Sequence, residues 1–494
     1  MGLIVQSFFM NWLLALEILY AAALVFVCLR IIFDGRNNTK SLAYILLVIF
    51  IPLLGMFFYF SFGINYRKRK IYSKKIIQNA DMARRLRETI YSHSQQVLDK
   101  GGQAVQSNKE LAYMLLRDSM SALTDNNDVK LLINGENKFP EVLKAIEEAR
   151  DHIHIQYYIY EEDGIGRKVE QALIRKAAEG VTVRFIYDDF GSRSIRRKLV
   201  PRLIAGGVKA FPFNKVYFIA LANRLNYRNH RKLIVIDGRV AFIGGINISD
   251  RYINEESDRK KTYWRDTHLR IEGPGIQYLQ YLFLCDWNFC ASEKLEPTPA
   301  FFPDPLSLPV KGNKIVQIAA SGPDSDMPTI LFSLLQAINL ATEEILITTP
   351  YFIPGESLLD ALIVASLSGV SVKLLAPGHS DSKLVNAAAK SYYDDLLRAG
   401  VEIYLYTKGF VHAKTLVADG KIGIVGTANM DYRSFDLNFE VNAIVYDKSF
   451  ANELRDVFYS DLKNAERIDR GAWGRRPILS QLLEKSARLV SPLL

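Results

Sequence analysis

Two stretches of this chain carry the same reactive side chains in the same order. Asn-His-Arg-Lys-Leu-Ile-Val-Ile-Asp at 229 to 237 returns 182 positions later as Val-His-Ala-Lys-Thr-Leu-Val-Ala-Asp at 411 to 419. Counted from His230 and His412, Lys232 and Lys414 stand at +2, Asp237 and Asp419 at +7, Gly244 and Gly426 at +14, and Asn247 and Asn429 at +17. At roughly 1 in 20 per matched position, a five-residue coincidence at a given start is expected about once in several million trials. The repeat is therefore an internal duplication. Its chemistry suits attack on a phosphodiester. A neutral imidazole is a nucleophile toward phosphorus, a protonated second imidazole donates to the leaving oxygen, and cationic and amide groups hold the spreading oxyanion charge. Two copies supply both histidines.

Residues two apart on a strand face the same side, so His-x-Lys places both side chains in one site if the motif opens a strand. Leu233 to Ile236 and Thr415 to Ala418 read as such strands, each followed by a turn at Asp237-Gly238 or Asp419-Gly420. Upstream, apolar strand-like runs alternate with amphipathic helical ones. The first half offers strands at 153–159, 181–187 and 208–213 with helices at 166–179 and 194–205. The second repeats the order with strands at 345–349, 370–375 and 401–406 and helices at 357–367 and 385–397. Gly180-Val-Thr-Val-Arg184 matches Gly369-Val-Ser-Val-Lys373, and Gly207-Val208 matches Gly400-Val401. This pattern predicts an α/β fold of two pseudo-twofold-related α/β/α repeats, at 127–310 and 311–494, packed around one active site.

At 494 residues the chain has room for that body and more. A net charge of +9 on 23% charged residues suits anionic lipid as well as nucleic acid. Cys28, Cys285 and Cys290 have no metal-ligand spacing and read as packing residues. Two apolar stretches, about 12–33 and 41–62, are each long enough to cross a bilayer, and a polar connector with Gly35 joins them as a hairpin. Glu17, five residues from Trp12, reads as reaching toward the headgroups, and Pro52 as a kink. Six basic residues follow in 66–75, against three around the connector, which predicts a cytoplasmic catalytic body. Residues 1–75 thus form an anchor and 76–126 a juxtamembrane helical connector.

The paired motifs resemble the phospholipase D superfamily over about residues 129 to 470. Within it, Asn38-Thr-Lys-Ser-Leu-Ala-Tyr44, Pro52-Leu-Leu-Gly55 and the ending Ala487-Arg-Leu-Val-Ser-Pro-Leu-Leu494 are similar to the bacterial cardiolipin synthases. The resemblance implies transfer of a phosphatidyl group from one phosphatidylglycerol to another, giving cardiolipin and glycerol, with no metal and no organic cofactor. It implies a bacterial inner-membrane enzyme whose partners are phosphatidylglycerol and cardiolipin and not nucleic acid; assembly of several copies stays open. It also implies a phosphatidyl-histidine intermediate on His230, with His412 as general acid and then base. Lys232, Lys414, Asn247 and Asn429 would bind phosphate oxygens, with Gly245 and Thr427 beside them. Asp237 and Asp419 complete the catalytic motif, although a turn at +7 suits a local structural role. An acid further along orients each histidine: Asp266 at +36 from His230 and Glu440 at +28 from His412. Such a carboxylate would raise the imidazole pKa.

His93, His152, His154, His268 and His379 lack the lysine partner and read as packing or surface residues. Tyr157, Tyr158, Tyr351 and Phe352 end corresponding strands and line either core or cleft. Asp189, Gly191 and Ser192 form a turn at a strand end where α/β folds gather ligands. The half-apolar run 475–494 suits either the membrane surface, with Trp473 at the interface, or docking on the body. Three rival functions remain: a hydrolytic phospholipase D or related phosphatidyltransferase, a nuclease, and an inactive membrane scaffold.

Overall fold

Most of the apolar runs become strands buried on both faces, the environment of a sheet covered by helices. In the computed structural model, which describes residues 2–35, 38–60, 91–213, 227–254, 262–304 and 310–490, the first half supplies eight strands. These are β1 (Thr124–Ile133), β2 (His152–Tyr157), β3 (Thr182–Asp188), β4 (Lys209–Phe213), β5 (Lys232–Ile236), β6 (Val240–Gly244), β7 (Tyr263–Arg265) and β8 (Thr267–Glu272). The second half supplies β9 (Lys314–Ser321), β10 (Glu344–Thr348), β11 (Phe352–Ile353), β12 (Ser371–Pro377), β13 (Glu402–Tyr406) and β14 (Gly409–Val411). It continues with β15 (Thr415–Ala418), β16 (Ile422–Gly426), β17 (Met430–Asp431), β18 (Glu440–Tyr446) and β19 (Ala465–Arg467).

Fifteen strands join in one sheet. Outward from the β1–β9 seam, one arm runs β1, β8, β6, β5, β2, β3, β4 and the other β9, β18, β16, β15, β10, β12, β13, with β19 added at its edge. The strand order of one half thus repeats in the other, and the mixed α/β class expected from the sequence is present. Each motif strand lies in the same setting: β5 pairs antiparallel with β2 and β6, and β15 with β10 and β16. Each half keeps its own apolar core.

Two expected helices are divided. The run 194–205 becomes a short turn at Arg193–Ile195 and a helix at Leu199–Ala205, because Pro201 cannot donate to the preceding turn. The run 385–397 splits into Lys383–Lys390 and Tyr393–Ala399, where the Ser391 hydroxyl donates to the Ala388 carbonyl at 2.6 Å. The supposed connector also differs. Its helix Lys109–Ser119 buries Leu111, Leu115 and Leu116 in the core of the second half, and Gln317 donates to the carbonyls of Ala112 and Ser121. An apolar face at that spacing makes it a core element of the body. Residues 76–90, the basic run 66–75 and the last four residues lie outside the described residues.

The described residues divide into an N-terminal unit and the catalytic body. In the N-terminal unit one helix, Gly2–Asp34, contains an apolar stretch at Leu14–Asp34 long enough to cross a bilayer. The second apolar stretch is broken at Ile51 into helices Asn38–Phe50 and Pro52–Phe58. Neither piece reaches the about 20 residues of a single straight span. In the body, the C-terminal helix Ile478–Val490 docks through buried Ala487 and through Arg488, which donates to Asp395 at 3.2 Å and covers the Tyr392 ring. Its other face leaves Leu479, Leu482, Leu483 and Leu489 exposed.

Candidate active site

Each motif histidine is held by the half of the chain to which it does not belong. The His230 N–H donates to the Phe439 carbonyl at 3.0 Å, while β14 pairs with β7 and the His412 N–H donates to the Arg265 carbonyl at 2.7 Å. The next residue in each case is the acid. Glu440 therefore accepts from His230 Nδ1 at 2.8 Å, and Asp266 accepts from His412 Nδ1 at 2.7 Å. This exchanges the expected partners: Asp266 orients His412 and Glu440 orients His230. Sequence order assigned each acid to the histidine before it, whereas the cross-half backbone bridges deliver it to the other. A carboxylate on Nδ1 fixes the proton there and leaves the lone pair on Nε2.

Gly245 and Thr427, expected against substrate, stand behind these carboxylates instead. A Cβ at Gly245 would lie 2.1 Å from Asp266 Oδ1, so only glycine admits the short acid. At the matching position Thr427 Oγ1 donates to Glu440 Oε2 at 2.5 Å. Lys232 and Lys414 are buried and donate to the carbonyls of His230 and His412, the former at 2.7 Å.

Asp237 and Asp419 are not at the site. Each adopts a left-handed turn at the far end of its motif strand, about 16 Å from the lysine by strand rise. Asp237 accepts from the N–H groups of Arg150, Asp151 and His152, and Asp419 from those of Thr342, Glu343 and Glu344. They fasten the loops entering β2 and β10, so the expectation of a catalytic role is corrected to a structural one. Asn247 is also committed: it accepts from the Ile159 N–H at 3.2 Å and donates to the Tyr252 hydroxyl at 2.8 Å. Asn429 keeps its Oδ1 without a hydrogen-bond partner among the described residues.

Burial pushes His230 down to about 4, with Glu440 opposing and Lys232 reinforcing the shift. Burial and then Lys414 push His412 down to about 3 against the pull of Asp266. The expected upward shift is thus outweighed, and both imidazoles are neutral at neutral pH. Burial likewise lowers Lys232 to about 7 and Lys414 to about 8. Glu440 stays below its usual range despite burial, because His230 and Lys232 favour its charge. Each half feels the other's cation, since Lys414 acts on His230 and Lys232 on His412.

Aromatic rings pack around both histidines. Tyr158 meets the His230 ring at 4.7 Å, and Trp264, Tyr252 and Phe410 meet His412 at 5.5, 5.9 and 5.9 Å. Tyr157 and Phe352 face core packing instead, and Tyr351 donates to Asp381 at 2.7 Å. Trp264 and Tyr252 come from the half opposite His412, which no local spacing announces. Lys138 was also missed. It is fully buried, donates to the Ile246 carbonyl at 2.9 Å and lies over the rings of Phe139 and Tyr157, bracing the bend after β6. His152 and His154 pack against each other with tilted rings and, with Phe301, serve packing as expected.

The fold and the paired imidazole–carboxylate units define a phospholipase D-like enzyme of phosphodiester transfer. The domain described as "Cardiolipin synthase, PLD-like domain" matches residues 142–260 and 334–462, and an N-terminal domain of phospholipase D-nucleases matches 18–63. The major cardiolipin synthase ClsA of Bacillus subtilis is 40% identical over 493 residues, 99% of this chain and 100% of the relative. A cardiolipin synthase of Listeria welshimeri is 38% identical over 495 residues, 100% of both chains. The phosphatidylserine synthase of Haemophilus influenzae shares the fold with a TM-score of 0.58 at 13% identity, over 80% of this chain and 100% of its own. The chain belongs to the cardiolipin synthase family of phospholipase D-like proteins.

Proposed function

We propose that the protein is a cardiolipin synthase that moves a phosphatidyl group between two phosphatidylglycerol molecules. The observation that carries the reading is the reciprocal pair of carboxylate-held imidazoles, with two buried lysines between the halves. The neutral His230 Nε2 attacks phosphorus as His412 gives a proton to the glycerol oxygen. The P–N bond forms, the P–O bond breaks and glycerol leaves. The hydroxyl of a second phosphatidylglycerol then gives its proton to His412 and attacks phosphorus, releasing His230. His412 acquires its first proton as the substrate's negative charge offsets the lysine field that depresses it. Lys232 and Lys414 hold the nonbridging oxygens.

The apolar helix Leu14–Asp34 anchors the chain in the bacterial inner membrane. Under the positive-inside rule the basic run in 66–75 supports a cytoplasmic body, with 41–62 as the kinked second arm of a hairpin. The exposed leucines of the C-terminal helix, beside Arg475 and Lys485, suit adsorption to an anionic surface.

Labelled phosphatidylglycerol supplied to the purified full chain should yield labelled cardiolipin and free glycerol. Phosphatidic acid as the sole lipid product would make it a hydrolase, and unchanged lipids with an inert His230→Ala variant would leave a scaffold. His230→Ala and His412→Ala should each lower transfer by at least about 10³-fold. Only the His412 variant should retain slow covalent labelling from a donor with an activated leaving group. Labelling of the His230 variant instead would reverse the two roles.

A further inference from the structure

The duplication breaks its symmetry two residues before each motif histidine. Arg228 precedes His230, whereas Phe410 precedes His412. The backbone is extended at both places. The Phe439 N–H donates to the Arg228 carbonyl as the His230 N–H donates to Phe439, and β14 runs through Phe410. Residues two apart on such a stretch share a side, so Arg228 and His230 face one way, as do Phe410 and His412. The rings of that second pair lie 5.9 Å apart. The first half therefore brings a cation to the place where the second half brings an apolar wall.

The cation has a counter-charge in reach but no hydrogen-bond acceptor among the described residues. Arg228 is 3% exposed, and among the described residues neither Nη has a hydrogen-bond partner. The Asp188 carboxylate lies 3.9 Å from Nη1, beyond hydrogen-bonding reach. Its oxygens are already occupied: Oδ1 accepts from the N–H groups of Phe190 and Gly191, and Oδ2 from that of Asn229. The Phe190 ring covers the guanidinium at 4.7 Å and is itself 55% exposed, so the cover over the cation is a solvent-facing side chain. Tyr158, whose ring meets His230, lies within the fields of both Arg228 and Arg433. A buried guanidinium with unused donors is costly, and its planar fork matches a phosphate.

We propose that Arg228 binds the phosphate of the acceptor lipid, a second phosphodiester anion apart from the one attacked at His230. The inference rests on the cardiolipin synthase reading, whose product holds two phosphates on one glycerol. Along extended chain Arg228 stands roughly 7 Å from His230, comparable with the span of one glycerol between two phosphates. Water, glycerol and other uncharged alcohols bring no second anion, so this side chain selects an anionic lipid as acceptor. The turn at Asp189 to Ser192 acquires a role as the cover of that subsite.

The test compares two acceptors with one donor. The full chain in detergent–lipid micelles receives labelled phosphatidylglycerol, either alone, giving cardiolipin, or with excess ethanol, giving phosphatidylethanol. Arg228→Gln should lower the ratio of cardiolipin to phosphatidylethanol by about 10- to 100-fold, as expected for loss of charge-assisted hydrogen bonds. Arg228→Lys should restore part of it. A ratio in Arg228→Gln equal to that of the native chain, whether both products fall together or neither does, or a lowered ratio that Arg228→Lys does not raise at all, would overturn the assignment. A native chain that makes phosphatidylethanol and no cardiolipin would defeat the synthase reading itself, which separates the two failures.

Discussion

At the scale of single residues, the acid that belongs to each histidine is the one across the seam. Glu440→Gln should therefore impair the chemistry of His230, and Asp266→Asn that of His412, each by about 10²- to 10⁴-fold, because the imidazole loses its tautomer and its counter-charge. Covalent labelling by an activated donor distinguishes them. It should collapse in Glu440→Gln and persist in Asp266→Asn, and the opposite result would restore the pairing by sequence order. The pH profile carries a second prediction. His230 must be neutral to attack, so kcat/KM falls as pH drops through about 4. On the proposed mechanism His412 must also take up a proton and the lysines must be cationic, so activity declines as pH rises and declines more steeply above about 7 to 8, the values of Lys232 and Lys414. A short-chain soluble phosphatidylglycerol measures this without titrating a bilayer. A rise through pH 6 to 7, as for an unperturbed histidine, would contradict the buried setting.

At the scale of elements, the motif strands were legible and their closing aspartates were half legible. The alternation in Leu233 to Ile236 and the Asp-Gly turn after it follow from local rules. That Asp419 spends its carboxylate on the amides of Thr342, Glu343 and Glu344 depends on β10 lying beside β15. Asp419→Ala leaves three amide donors at a strand entrance without their acceptor, and should cost about 1–3 kcal/mol of stability. Thermal unfolding should shift down by several degrees, while kcat/KM in the folded protein stays within a few fold of native. A loss of kcat with unchanged stability would return Asp419 to the chemistry. The helix Lys109–Ser119 was misjudged for the same reason: its amphipathic face was visible, but the second half that buries it was not. Pro201 and Pro52 show the reverse case, in which one residue divides an element that hydropathy alone would run through.

At the scale of the molecule, one continuous sheet carries both halves, and each histidine is completed by the other. A site built within one chain cannot be repaired by mixing. His230→Ala and His412→Ala chains reconstituted together should show no more cardiolipin synthesis than either alone, and recovery toward a quarter or more of native activity would place the two histidines of a site in different chains. The amino-acid sequence by itself determined the duplication, the paired His-x-Lys motifs and the strands that present them, because these rest on spacings of a few residues and on the period of a strand. Only the tertiary structure decided that Glu440 serves His230 across 210 positions and Asp266 serves His412 across 146. Those pairings, like the Trp264 and Tyr252 walls beside His412, arise where two halves fold against each other, and no local pattern encodes which half will supply the neighbour.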